Sequence, residues 1–243
     1  MTTILNTLAL LLVTEKNKGI RHGRIVPMSY PKAILWDMDG VLADTSPLHF
    51  QTWELVLSEQ GIPFDRQKFQ HIFGLKNYDI LPYLVGKPLE AHWIKLVADQ
   101  KEAAFRQALV GHLRPLPGVL DWLEHFQTWG CKQAVASSAP PENIDALVDE
   151  LGIRRYFEVL VNPGDLPGKP NPDVFLLAAS TVGISPQDCL VIEDSIVGVE
   201  AARRAGMHCI AVTTTNPPEA LSQADIIVDT LAQLSANQVE SLF

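Results

Sequence analysis

The chain has 243 residues, 47% of them hydrophobic and 19% charged, which is enough apolar material for one large domain or a domain carrying an insertion. A formal net charge of −9 argues against a non-specific nucleic-acid binder, so an anionic ligand must be held by local cations, a metal ion or backbone N–H groups. Cys131, Cys189 and Cys209 form no C-x-x-C pair, and the last two fall in apolar runs; buried thiols in a reducing, cytoplasmic compartment are expected.

Residues 1–30 read as an N-terminal extension. The run ILNTLALLLV (4–13) is ten residues long, too short to span a bilayer, and it lacks a basic leader and a small-x-small cleavage site. A start at Met28 with a poorly ordered tail stands beside a short packed helix or an address signal. No membrane partner is expected. AILW (33–36) is the first strand-like run. Four helical patterns follow without a buried strand between them: 47–61, 65–74, 77–86 and 89–111. They make an insertion of about 70 residues, the size of a small domain.

Beyond it, helical and strand-like segments alternate. Helices are expected at 118–130, 141–152, 172–183 and 198–206, several ending in glycine. Strands are expected at KQAVA (132–136), FEVLV (157–161), CLVIE (189–193), CIAVT (209–213) and DIIVD (225–229). The pattern predicts an α/β fold, a doubly wound parallel-sheet (Rossmann-like) core, with an inserted α-helical cap domain. Residues 31–45 and 114–243 form the expected core and 46–113 the expected cap.

In such sheets ligands bind outside the carboxyl ends of the strands. Those ends carry Asp37 and Asp39, then Ser137 and Ser138, then Lys169 in a GKPNP loop, then Glu193 and Asp194. Each has an ordinary explanation alone: a turn, a helix cap or a solvated lysine. Together they fit phosphoryl transfer. Clustered carboxylates without cysteine or histidine partners select a hard cation, Mg2+, which offsets their mutual repulsion. One aspartate can attack phosphorus, and a second carboxylate off the metal can move the proton. Ser137 and Lys169 can hold the non-bridging oxygens, and Gly40 lets the backbone approach closely.

The stretches DMDGVLADT (37–45), Ser137, Lys169-Pro170 and EDSIVGVEAARRAG (193–206) resemble the haloacid dehalogenase superfamily. The resemblance covers about residues 32–230 and is nearest the branch of β-phosphoglucomutases and sugar phosphatases with a helical cap. It implies that Asp37 is the nucleophile and Asp39 the general acid/base. It also implies Mg2+ held by Asp37, the Asp39 carbonyl, Glu193 and Asp194, with Ser137 and Lys169 on the phosphoryl group. The second acid, Asp39, argues against dehalogenase chemistry.

In the expected cap, His49, Lys76 and Lys101 are the candidate substrate residues. The mutases resemble G-x-S-R where this chain has Gly74-Leu75-Lys76-Asn77, and lysine lacks arginine's bidentate fork. SSAPPEN (137–143) also lacks their S-x-S-x-N pattern. The expectation is an Mg2+-dependent phosphatase of a small phosphorylated metabolite, a sugar phosphate, acting as a monomer or weak dimer. A phosphosugar mutase is the alternative. A receiver-type signalling module, the third reading, lacks a helical insertion of this size. Trp53, Trp93, Trp122 and Trp129 read as packing residues, and Arg203-Arg204 as a solvated helix face.

Overall fold

The computed structural model describes residues 30–73 and 75–243. Residues 1–29, with most of the expected N-terminal extension, and Gly74 lie outside the described residues. Six parallel strands form one sheet in the order β3-β2-β1-β4-β5-β6. They are β1 (Ala33–Trp36), β2 (Lys132–Ala136), β3 (Val159–Val161), β4 (Cys189–Glu193), β5 (His208–Val212) and β6 (Ile226–Val228).

Strand β1 has both faces buried, and its residues alternate between two cores. Ile34 and Trp36 pack with α5 (Val119–Thr128) and α6 (Pro141–Glu150) on one side. Ala33 and Leu35 pack with α7 (Asp173–Val182) and α8 (Ile196–Arg204) on the other. This is the expected doubly wound arrangement. One buried polar side chain interrupts the first core. Gln133 accepts from Trp36 Nε1 at 3.0 Å and donates to the Leu123 carbonyl at 2.9 Å, so its amide is satisfied on both sides.

Between β1 and α5 the described residues contain four helices and no strand: α1 (Ser46–Glu59), α2 (Arg66–Ile72), α3 (Asn77–Val85) and α4 (Ala91–Leu109). They share a core of their own, built from residues such as Trp53, Leu57, Ile72, Leu81 and Val97. Phe105 and Leu109, at the end of α4, join the core beneath the sheet instead.

The expected strand at 157–161 is shorter, because Arg154–Tyr156 close a 3-10 turn and the Phe157 N–H donates to the Arg154 carbonyl. A last short helix, α9 (Ala236–Glu240), was not expected; Ser235 and Gln238 cap it reciprocally. All three cysteines are buried and free. No described helix is long and apolar enough to cross a membrane.

Candidate active site

Strands β1 and β4 are neighbours with Trp36 opposite Ile192, so the residues that follow each strand emerge side by side. This lies next to the point where strand order reverses, which is where open α/β sheets form their crevice. The arrangement brings Asp37, Glu193 and Asp194 together, all buried, with ligand-capable oxygens within 4.8 Å of one another. Lys169, from the loop beyond β3, donates to Asp37 Oδ1 at 2.5 Å and to Glu193 Oε1 at 2.6 Å. The Lys169 side chain is 4% exposed, between Asp37 at 11% and Glu193 at 1%.

One ammonium among three carboxylates leaves an excess of negative charge. The protein's response is visible in the acids. Burial pushes the Asp37 carboxyl up to about 7; the Lys169 charge opposes this and Glu193 adds to it. Burial, then the charges of Glu193 and Asp37, holds Asp194 well above the usual carboxylate range. Lys169 is shifted upward because Asp37 and Glu193 outweigh the cost of its burial. An all-oxygen cluster short of positive charge fits a hard divalent cation such as Mg2+.

Two glycines make room for this crowding. A Cβ on Gly40, which has φ +82°, would lie 2.0 Å from Asp194 Oδ2. A Cβ on Gly198, in the first turn of α8, would lie 1.7 Å from Glu193 Oε1. Glu193 is further fixed by the start of α8: its Oε2 accepts from the N–H groups of Asp194 and Ser195 at 2.8 Å each and from Ser195 Oγ at 3.0 Å. Thr215 Oγ1 donates to Asp194 Oδ2.

Asp39 sits two residues beyond Asp37 in a different environment. Its Oδ1 accepts from Thr45 Oγ1 at 2.6 Å and lies 3.2 Å from His49 Nε2. Burial works to raise the Asp39 carboxyl, but His49, Thr45 and Lys101 outweigh it and hold it below its ordinary value. His49 Nδ1 lies 2.8 Å from Lys101 Nζ, which can only donate, so the Nε2 proton points at Asp39. Burial and the Lys101 charge lower His49, in keeping with a neutral ring. That ring stacks on Phe105 at 4.0 Å.

Lys101 is itself buried and pairs with Glu102 at 3.0 Å. Glu102 also accepts from Asn77 at 2.7 Å and from Asn143 of α6 at 2.5 Å, and Arg106 donates to Asn143 Oδ1 at 2.8 Å. These groups line one cleft of about 470 Å³ together with Asp37, Asp39 and Asp194. Ser137 is buried there, with its hydroxyl accepting from the Ala139 N–H at 3.1 Å. The neighbouring Ser138 hydroxyl is buried without a hydrogen-bond partner.

Of the residues expected from sequence, Asp37, Asp39, Gly40, Ser137, Lys169, Glu193 and Asp194 gather at one end of the sheet. His49 and Lys101 reach the same cleft from α1 and α4. Lys76 lines the cleft too, but its ammonium donates to the carbonyls of Gly164 and Leu166. Sequence reasoning did not single out Thr45, Glu102, Asn143 or Thr215. A Lys-Glu doublet at 101–102 in the middle of an amphipathic helix was the available signal for Glu102.

Comparison with known proteins agrees with this geometry. The β-phosphoglucomutase of Bacillus subtilis is 32% identical over 214 residues, covering 84% of this chain and 92% of its own. The fructose-1-phosphate phosphatase of Escherichia coli is 32% identical over 185 residues, 74% of this chain and 95% of its own. Among solved structures, CbbY from Rhodobacter sphaeroides in complex with phosphate superposes with a TM-score of 0.78 at 25% identity, covering 86% of this chain and 99% of that one. A family model of haloacid dehalogenase-like hydrolases matches residues 31–206, and the chain belongs to that family.

Proposed function

We propose that this protein is an Mg2+-dependent phosphatase that hydrolyses a small phosphorylated metabolite, a sugar phosphate, through an aspartyl-phosphate on Asp37. The observation that carries the reading is the cluster of Asp37, Glu193 and Asp194 with Lys169 bridging two of its members. Bound there, Mg2+ would be held by the Asp37 and Asp194 carboxylates with Glu193 alongside, and would supply charge neutralisation for an approaching phosphate.

Asp37 attacks phosphorus, and Lys169 and Ser137 hold the non-bridging oxygens as negative charge shifts onto them. The buried, unpartnered Ser138 hydroxyl offers one more donor at that place. Asp39, a carboxylate at rest, first takes up a proton from solvent and in that form delivers it to the leaving oxygen. As a carboxylate fixed by Thr45 and His49, it then takes a proton from the water that cleaves the acyl phosphate. Helices α1–α4 act as the cap domain that selects the leaving group. Within it Lys101 and His49 meet the substrate. The protein works in the cytoplasm on a small-molecule partner, without nucleic acid or membrane, as a monomer or weak dimer. Its three buried free thiols support a reducing compartment.

The second reading is a phosphosugar mutase, favoured by the 32% identity to the Bacillus subtilis β-phosphoglucomutase. Phosphatase is preferred because Asn77, at the mutases' arginine position, carries no charge to clamp a second phosphate and donates to Glu102, while Lys76 donates to two backbone carbonyls. The deciding experiment is a panel of phosphorylated metabolites with Mg2+, measuring inorganic phosphate, beside a coupled assay for isomerisation of β-glucose 1-phosphate. Stoichiometric phosphate release supports the phosphatase. Isomerisation without phosphate release overturns it.

A further inference from the structure

Lys76 stands immediately before α3, and its side chain crosses from the inserted helices to the loop that leads from β3 to Lys169. Its ammonium donates to the carbonyls of Gly164 at 2.8 Å and Leu166 at 2.5 Å. Its methylenes run along Gly168, where an added Cβ would meet them at 3.4–3.5 Å. Residues 164–167 are otherwise exposed. The loop's own bonds, from Gly164 N–H to Asn162 Oδ1 and from Leu166 N–H to the Pro163 carbonyl, do not engage the Gly164 and Leu166 carbonyls, which accept from Lys76. One residue past Gly168 comes Lys169, the ammonium between Asp37 and Glu193.

We propose that Lys76 is a positioning residue: through the Gly164 and Leu166 carbonyls it ties the inserted helices to the Lys169 loop, so that Lys169 is held at the phosphoryl site when the cleft is closed. The inference rests on the phosphatase reading for its kinetic arm only. A cation held by two carbonyls loses both bonds when the helices move away, so closure of the cleft and placement of Lys169 become one event. It also means that Lys76 works by a contact with protein backbone and not with the substrate.

The test uses the full chain with Mg2+, as wild type, Lys76→Met and Lys76→Arg. Backbone hydrogen exchange is measured without substrate, and kcat/KM is measured on p-nitrophenyl phosphate, which has no sugar for the cap to recognise, and on the best sugar phosphate. Lys76→Met is expected to speed exchange at 162–170 by about tenfold, leave the strands unchanged, and lower kcat/KM by about tenfold on both substrates. Lys76→Arg should recover much of both, since a guanidinium also donates to two acceptors. Unchanged exchange at 162–170, with a loss confined to the sugar phosphate, overturns the proposal and makes Lys76 a substrate contact. Faster exchange throughout the strands also overturns it, in favour of a general structural role. A wild type that releases no phosphate from any substrate overturns the phosphatase reading instead, and the exchange at 162–170 still decides whether Lys76 holds the loop.

Discussion

The ammonium of Lys169 lies 2.6 Å from Glu193, and that carboxylate is in turn held by the N–H groups of Asp194 and Ser195, just before α8. Glu193 therefore anchors Lys169 to the sheet and aims it at Asp37. The acids of β4 and the lysine of the β3 loop behave as one unit, and the expected consequences can be measured.

Asp37→Asn removes the proposed nucleophile while keeping the shape of the side chain. Phosphate release should fall by at least about a thousandfold, with circular dichroism and cooperative unfolding retained. Substantial residual turnover in a folded variant would move the nucleophile elsewhere.

Magnesium binding should depend on pH in a defined direction. In the metal-free protein Asp37 is raised to about 7 and Asp194 well above its ordinary value, so folding is favoured by their protonated forms. That contribution is complete at acid pH, below the unfolded carboxylate value. It is lost as pH climbs to Asp37's folded value of about 7 and beyond. A cation must displace these protons, so its affinity rises over the same window. The gain in Tm on adding Mg2+ should be larger at about pH 8 than at about pH 6, and EDTA should abolish both the gain and the activity. Equal gains at the two pH values would argue against the acid cluster as the binding site.

Gly40→Ala introduces a methyl group 2.0 Å from Asp194 Oδ2 at a backbone φ of +82°. The strain is expected to cost about 1–3 kcal/mol. Asp194 must move as well, so Mg2+ affinity, read by calorimetry, should fall by about tenfold or more. Unaltered affinity would show that Asp194 is not needed where it stands.

Lys101→Met strips the buried Glu102 of its ammonium partner and is expected to destabilise the fold by about 3–5 kcal/mol. The double variant Lys101→Met/Glu102→Gln removes both charges and keeps the measurement interpretable. Its kcat/KM should drop by about tenfold or more on a sugar phosphate and change little on p-nitrophenyl phosphate. Equal losses on the two substrates would remove Lys101 from leaving-group recognition.

The parallel strands are legible in sequence because a strand covered on both faces reads as an apolar run, as AILW and CLVIE do. The acids and Lys169 are legible because each follows such a run, and fold topology does the rest. Glu102 and Asn143 are different. They meet only because α4 crosses α6, a long-range contact that no local pattern encodes. Thr45 was within a quoted motif, but its hydroxyl acquires meaning only when the turn after β1 aims Asp39 at it. Lys76 was readable as a cation near the cleft, and its backbone acceptors lie in a loop about 90 positions away. The helix at 236–240 was missed because it is short and polar, although Ser235 and Gln238 already spell a capping box.

Gln133 has a consequence at a distance from its own contacts. It pairs with Ile34 in the ladder, and its amide joins Trp36 of β1 to Leu123 of α5. Sliding β2 by one position would leave that amide stranded in hydrocarbon and turn every following side chain to the opposite face. Ser137 follows β2 as Asp37 follows β1, so the glutamine acts as an alignment pin that fixes the hydroxyl's place relative to the carboxylate.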